Sequence, residues 1–219
     1  MIPVTGGDQT REMPLMTLLP ARRVTMVLRG DQLSAFFPIL QSGVRVVFRS
    51  GVTLEELLVQ QWGISADYVA SRITTLFVNS RAVDNVATTL VHGGGVVALS
   101  GAMPGLVGAT MRRGGFYAAM RGAMTYREDV AAGGSGIAWV RVKLFNLLLR
   151  ELGPGFLARG IVMTAAELSA FIRGEFSAED FTASPSLDNR ELSPDELARE
   201  LKLLGEEDLL LTVAFEGSL

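Results

Sequence analysis

His92 stands directly before Gly93, Gly94 and Gly95 and is the only histidine in the chain. An imidazole titrates near neutral pH, so at this point it could serve as a general acid or base. A turn residue or a satisfied core donor is the commoner role for a solitary histidine. There is no cysteine, which removes disulfides, thiolate nucleophiles and sulfur-ligated zinc or iron–sulfur centres. With one histidine, multi-histidine metal sites and histidine-centred triads lose their basis as well. Glu55 with Glu56, and Glu206 with Glu207, are adjacent and so diverge around a helix instead of meeting as a catalytic pair. The residues therefore assign no catalytic group, no metal and no cofactor, and they favour binding over catalysis.

The second chemically suggestive stretch is Gly101 to Gly115, GAMPGLVGATMRRGG. Successive backbone N–H groups in such a loop can face an anion, and Arg112 and Arg113 would add charge. The stretch lacks the Gly-Lys-Ser/Thr of a phosphate-binding loop and the spacing of a dinucleotide fingerprint. Met103, Leu106, Val107 and Met111 suit either a core or a protein-binding surface. Arg112, Arg113, Met103 and Leu106 are thus the candidate anion- or partner-binding residues, with a packed loop as the plainer alternative.

These residues must be held by elements whose periodicity is readable. Val24, Met26 and Leu28 alternate with Thr25, Val27 and Arg29, the period of a strand with one buried face. Val44 to Phe48 is a second strand. Thr53 and Glu56 have capping-box spacing, after which Leu54, Leu57, Leu58 and Trp62 share one face of a helix. Ser65 caps a shorter helix, Ile73 to Val78 is a branched-rich strand, and Val96 to Leu99 is another. Gly101 to Gly115 reads as irregular, and Gly133 to Gly136 as a linker. Beyond it, Ala138 to Leu149 reads as a strand, Gly153-Pro154-Gly155 as a turn and Phe156 to Met163 as a strand. Thr164 then caps a helix, Glu175 to Asp195 is a polar loop, a helix runs to Leu204, and Asp208 to Phe215 closes the chain. SGVRVVFRSGVTLEELL and ARGIVMTAAELSAFI share strand, threonine cap, Glu-Leu and apolar face in the same order, as an internal duplication would.

Asn85 to Met111 carries no formal charge and exceeds the roughly 20 residues of a membrane span. Its glycine cluster and polar residues predict a buried strand plus apolar loop instead, and no membrane span. Residues 1–150 hold 15 Lys and Arg against 9 Asp and Glu, whereas residues 151–219 hold 5 against 14. The acidic part is read as a solvated face or as a complement to the basic part. The pI near 5.3 and the want of aromatic-interleaved basic runs argue against nucleic acid. The N-terminus lacks the continuous apolar run of a signal peptide, so a cytoplasmic protein is expected.

Two strands, a capped helix beginning TLEELL, a strand ending VN, and a glycine turn before VVAL and a Pro-Gly segment together resemble the β-grasp fold. The likeness is to the ubiquitin-like sulfur carriers of molybdopterin and thiamin biosynthesis, and it covers roughly residues 22–108. It implies an α+β fold with a β-grasp-like mixed sheet packed on a helix; the second α+β unit is read, from the shared segment order, either as a degenerate repeat or as a chance recurrence of strand and capped helix. The expected division is a lead at 1–21, a β-grasp-like domain at 22–115, a connecting segment at 116–136 and the second unit at 137–219. In a carrier the terminal glycine carboxylate is activated, and Met111-Arg112-Arg113-Gly114-Gly115 is similar to such a tail, but Phe116 follows it. The expected function is a non-catalytic binding or assembly module acting through the apolar loop and sheet edges, by self-association or contact with a protein partner. The alternative is a cryptic sulfur carrier or accessory protein of cofactor biosynthesis cut after Gly115. The two separate by intact mass: a binding module keeps a chain uncut between Gly115 and Phe116, and a carrier shows a fragment ending at Gly115.

Overall fold

Gly43 and Gly160 hold the two points at which the chain turns from a helix into the centre of the sheet. The computed structural model describes residues 19–101, 103, 105–117 and 136–217; most of the lead at 1–21 and of the connecting segment at 116–136 lies outside them. Both glycines adopt a conformation closed to most side chains, with φ of 109° and 110°, and each donates its N–H back to the preceding helix, to Ile39 O and Phe156 O. Strand β2 (Val44–Ser50) leaves the first and strand β9 (Ile161–Thr164) leaves the second. These are the two segments whose sequences matched, and they lie side by side, antiparallel, with Arg45 opposite Val162.

The chain is α+β, with a ten-stranded mixed sheet in the order β11-β10-β1-β12-β9-β2-β8-β7-β4-β5. The remaining strands are β1 (Arg22–Arg29), β4 (Thr75–Val78), β5 (Arg81–Ala82), β7 (Val96–Ser100), β8 (Gly136–Phe145), β10 (Phe181–Leu187), β11 (Arg190–Glu191) and β12 (Asp208–Glu216). Strands β3 (Val52–Thr53) and β6 (Leu90–Val91) form a separate small ladder. The expected division at residue 115 is crossed in both directions. Strand β1 is parallel to β12 and antiparallel to β10, and β8 is antiparallel to β2 and parallel to β7. Each sheet half therefore contains one strand from the other end of the chain.

Helices α1 (Phe37–Ser42), α2 (Ala66–Ser71), α4 (Leu148–Arg159), α5 (Ala165–Glu175) and α6 (Pro194–Leu204) all send buried side chains into one core. On the strands, alternate residues meet them: Val24, Met26 and Leu28, then Val46 and Phe48, then Val140, Val142 and Leu144, then Leu209, Leu211 and Val213, all at most 3 % exposed. The residues between them face the other side. The expected helix after β2 has its apolar face inward, with Leu54, Leu57, Leu58 and Trp62 buried. Its middle, Glu56–Gln61, is a π-helix. The Thr53–Glu56 and Thr164–Glu167 capping boxes both form, as does the Ser65 cap.

Four expectations fail, each through tertiary packing, the first being the strand expected over Ala138 to Leu149, which ends at Phe145 with Leu148 and Leu149 opening α4. Gly153-Pro154-Gly155 is inside α4, not a turn, and β9 begins only at Ile161. Helical spacing of Leu148, Leu149, Phe156 and Leu157 buries one face, and at Gly153 a Cβ would come within 3.1 Å of Leu40, so the glycine permits close approach. The polar Glu175 to Asp195 stretch holds β10, whose pairing with β1 supplies order that its Ser- and Thr-rich sequence does not advertise. Gly101 to Gly115 contains a helix, α3 (Gly105–Met111). A Cβ at Gly108 would meet Met103 O at 1.8 Å, so only glycine lets that helix fold back on its own approach. Among the described residues no helix is long and apolar enough to cross a membrane.

The glycine geometry gives a paired prediction. Gly160→Ala forces a side chain into a positive-φ position against Leu210 and should cost about 1 kcal/mol or more. Gly174→Ala, in α5 with nothing near its Cβ, should stabilise by about 0.5 kcal/mol. Urea unfolding midpoints should move in opposite directions.

Candidate binding face

The sheet face opposite the helices carries Arg23, Thr25, Val27, Arg45, Val47, Arg49, Trp139, Arg141, Lys143, Val96, Ala98 and Leu210, and none of these is buried. At its β4–β7–β8 end the register sets Phe77 beside Ala98 and Ala98 beside Lys143. Here lies a cleft of about 500 Å³ walled by Phe77, Val96, Ala98, Met103 and Phe145, with Lys143 at its side. Asn146, in the left-handed region at φ 58°, donates its Nδ2 to Ser100 Oγ at 3.0 Å along the same wall.

A larger cleft, of about 670 Å³, opens at the β2–β9 seam with Arg45, Arg141, Trp139 and Glu167 on its walls. Its cations are committed. Arg45 forks onto Asp208, with Nη1 2.8 Å from Oδ2, and the pairing raises the Arg45 pKa. Arg141 donates to Gly43 O at 2.8 Å. Among the described residues Lys143 has no hydrogen bond or ion pair with another side chain, and it is the cation at the smaller cleft.

The residues singled out from sequence separate into different roles. Met103 joins the cleft wall, while Leu106 is 71 % exposed on α3. Arg112 is exposed and Arg113 half-buried. The Arg113 guanidinium donates to Val69 O at 2.7 Å and the Arg113 backbone N–H donates to Thr74 O at 2.8 Å, strapping the end of α3 to α2 and to the residue before β4. Burial lowers its pKa, with Asp84 opposing that. Gly114 and Gly115 form a tight turn: Gly114 N–H reaches Asp84 Oδ1 at 3.4 Å and Gly115 N–H reaches Arg112 O at 3.2 Å. His92 is half-buried with Nδ1 lacking a partner, and among the described residues no three His, Cys, Asp or Glu side chains gather as a metal site.

Sequence reasoning missed Lys143, because a single lysine inside a strand has no motif. It also missed a cluster joining α2 to α4, in which Tyr68 Oη and Arg72 Nη2 both donate to the Glu151 carboxylate. The i, i+4 spacing of Tyr68 and Arg72 was the available signal. Burial and the Glu151 bond push the phenol up, whereas Arg72 and then Tyr68 hold the Glu151 carboxyl below its ordinary value.

Comparison with models of protein families, with curated proteins and with solved structures finds no match for this chain.

The Glu151 cluster carries a pH signature. A depressed carboxyl adds stability that is present above its unfolded value of about 4.3 and disappears as pH falls through the lower folded value. Glu151→Gln should therefore unfold at a lower urea concentration at neutral pH and lose less on acidification, measured as the urea midpoint between neutrality and acid.

Proposed function

We propose that this protein is a non-catalytic assembly module that associates with a second copy or a protein partner through α3 and the adjoining bare sheet. The observation that carries this reading is the concentration of uncovered apolar side chains. Among the described residues Met103, Leu106, Val107, Phe116 and Tyr117 are all exposed, Phe116 at 92 %, and only Trp139, Leu147 and Leu203 are comparable elsewhere. Such clustering marks a contact surface more often than scattered exposure does. The edges of the large sheet are less suited to the task. Strands β5 and β11 are each two residues long and carry Arg81, Arg190 and Glu191, the short charged edges that discourage strand addition.

The order β2, capped helix, β4, β5, β7, with β8 between β2 and β7, supports reading this half as β-grasp-like, its first strand supplied from later in the chain. A pair of such halves offers a broad, one-sided sheet as a platform, in keeping with binding.

Size-exclusion chromatography with light scattering tests the reading on the intact chain. The chain should run above its monomer mass of 23.5 kDa, and the double variant Leu106→Asp, Val107→Asp should run as monomer with unchanged circular dichroism. A wild-type chain that stays monomeric at every concentration removes self-association.

A further inference from the structure

The β4–β7–β8 cleft has features beyond those a flat contact surface needs. Its volume of about 500 Å³ falls in the range of roughly 300–1,000 Å³ typical of small-ligand sites. Phe77, Val96, Ala98, Met103 and Phe145 give it an apolar lining, and among the described residues Lys143 is its one charged wall residue. The lysine stem passes Gly43, where a Cβ would come within 3.0 Å of Lys143 Cγ. That close approach restricts the stem at its inner end, and no carboxylate among the described residues neutralises the charge.

A second observation lies on the same face of β4. Thr75 is two residues before Phe77, so both side chains point to the cleft side, and it stands opposite Ser100 in register. Thr75 is 1 % exposed, yet its hydroxyl oxygen has no hydrogen-bond partner. Leaving a buried hydroxyl unpaired is costly. Ser100, 4 % exposed, borders the cleft. The lining is thus mainly apolar, with Ser80, Ser100 and Asn146 as polar members and the Lys143 ammonium at its side, while the partnerless Thr75 hydroxyl is buried in register with Ser100.

We propose that this cleft binds a small amphiphilic carboxylate, an acyl or aryl acid whose apolar body lies between Phe77, Phe145 and Met103 while its carboxylate meets the Lys143 ammonium. An apolar body alone would gain from the lining; only an anion also gains from Lys143. A cationic ligand is disfavoured because the neighbouring strand residue on this face, Arg141, is also basic.

Isothermal titration calorimetry of the full chain with sodium decanoate, and separately with 1-decanol, tests this. One decanoate should bind per chain. Lys143→Met keeps the stem and removes the charge, so it should weaken decanoate by about tenfold or more and leave 1-decanol unchanged. Ala98→Phe should fill the cleft and abolish both. Circular dichroism checks the fold of each variant, and Lys143→Met, at a half-exposed position, carries the test if Ala98→Phe does not fold. Repeating the titration on the Leu106→Asp, Val107→Asp variant separates the cleft from association. No binding of decanoate, several weak sites indifferent to Ala98→Phe, or equal effects of Lys143→Met on acid and alcohol would each overturn the proposal.

Discussion

The parallel pairing of β1 with β12 and of β7 with β8 is the constraint on which the rest of the molecule depends. In each pair one strand comes from the opposite end of the chain from the sheet half it completes. All eight residues of β1 find partners on β12, whereas β2 and β9, which meet at the middle of the sheet, share a single registered pair, Arg45 with Val162. The seam is therefore weak as a ladder. It is held by chain crossing, since α1 and α4 carry the chain from one half to the other and pack together under it, and by the Arg45–Asp208 fork across three strands. Removing either crossing strand would leave the half it completes without an internal member. Such long-range pairing has a kinetic side, because distant segments must meet before their contacts repay the entropy of closing the loop.

One-sided covering follows from that topology. Five helices share one layer, so β1, β2, β8 and β12 alternate between a buried and an uncovered face, and what the sequence shows as charge asymmetry becomes asymmetry between faces. Arg23, Arg45, Arg49, Arg141 and Lys143 stand on the bare face. Asp195, Glu196 and Glu200 belong to α6 on the covered side, while Glu167 of α5 reaches the β2–β9 cleft beside Arg45. Coulombic separation of this kind steers anions toward the bare face without requiring a nucleic acid. Internal bonds differ among these cations: Arg45 is paired with Asp208 and Arg141 donates to Gly43 O, while Lys143 is the cation that lines the apolar cleft.

Much of the fold was legible because its signals are local. The Thr53 and Thr164 boxes, the Ser65 cap, the alternation in β1, β2 and β12 and the kinship of the two central segments depend on residues within a few positions of one another. The site was legible only in outline. The 101–115 stretch was visible as apolar and glycine-rich, but Arg112 and Arg113 stood out merely by being adjacent in sequence, and adjacency does not tell a guanidinium whether carbonyls are within reach. Lys143 became significant only when register set it beside Ala98 and Phe77, residues far away along the chain.

By itself the sequence determined the α+β class, the positions of the caps, the strands with one oily face and the absence of thiol chemistry, because side-chain period, capping hydroxyls and residue type act at short range. Tertiary structure alone decided that Gly153-Pro154-Gly155 stays helical, that β10 is a strand, that β1 and β8 complete each other's halves, and that one lysine is left uncompensated beside an apolar cleft. Those outcomes are set by which surfaces meet across many residues, where packing and backbone pairing outweigh local preference.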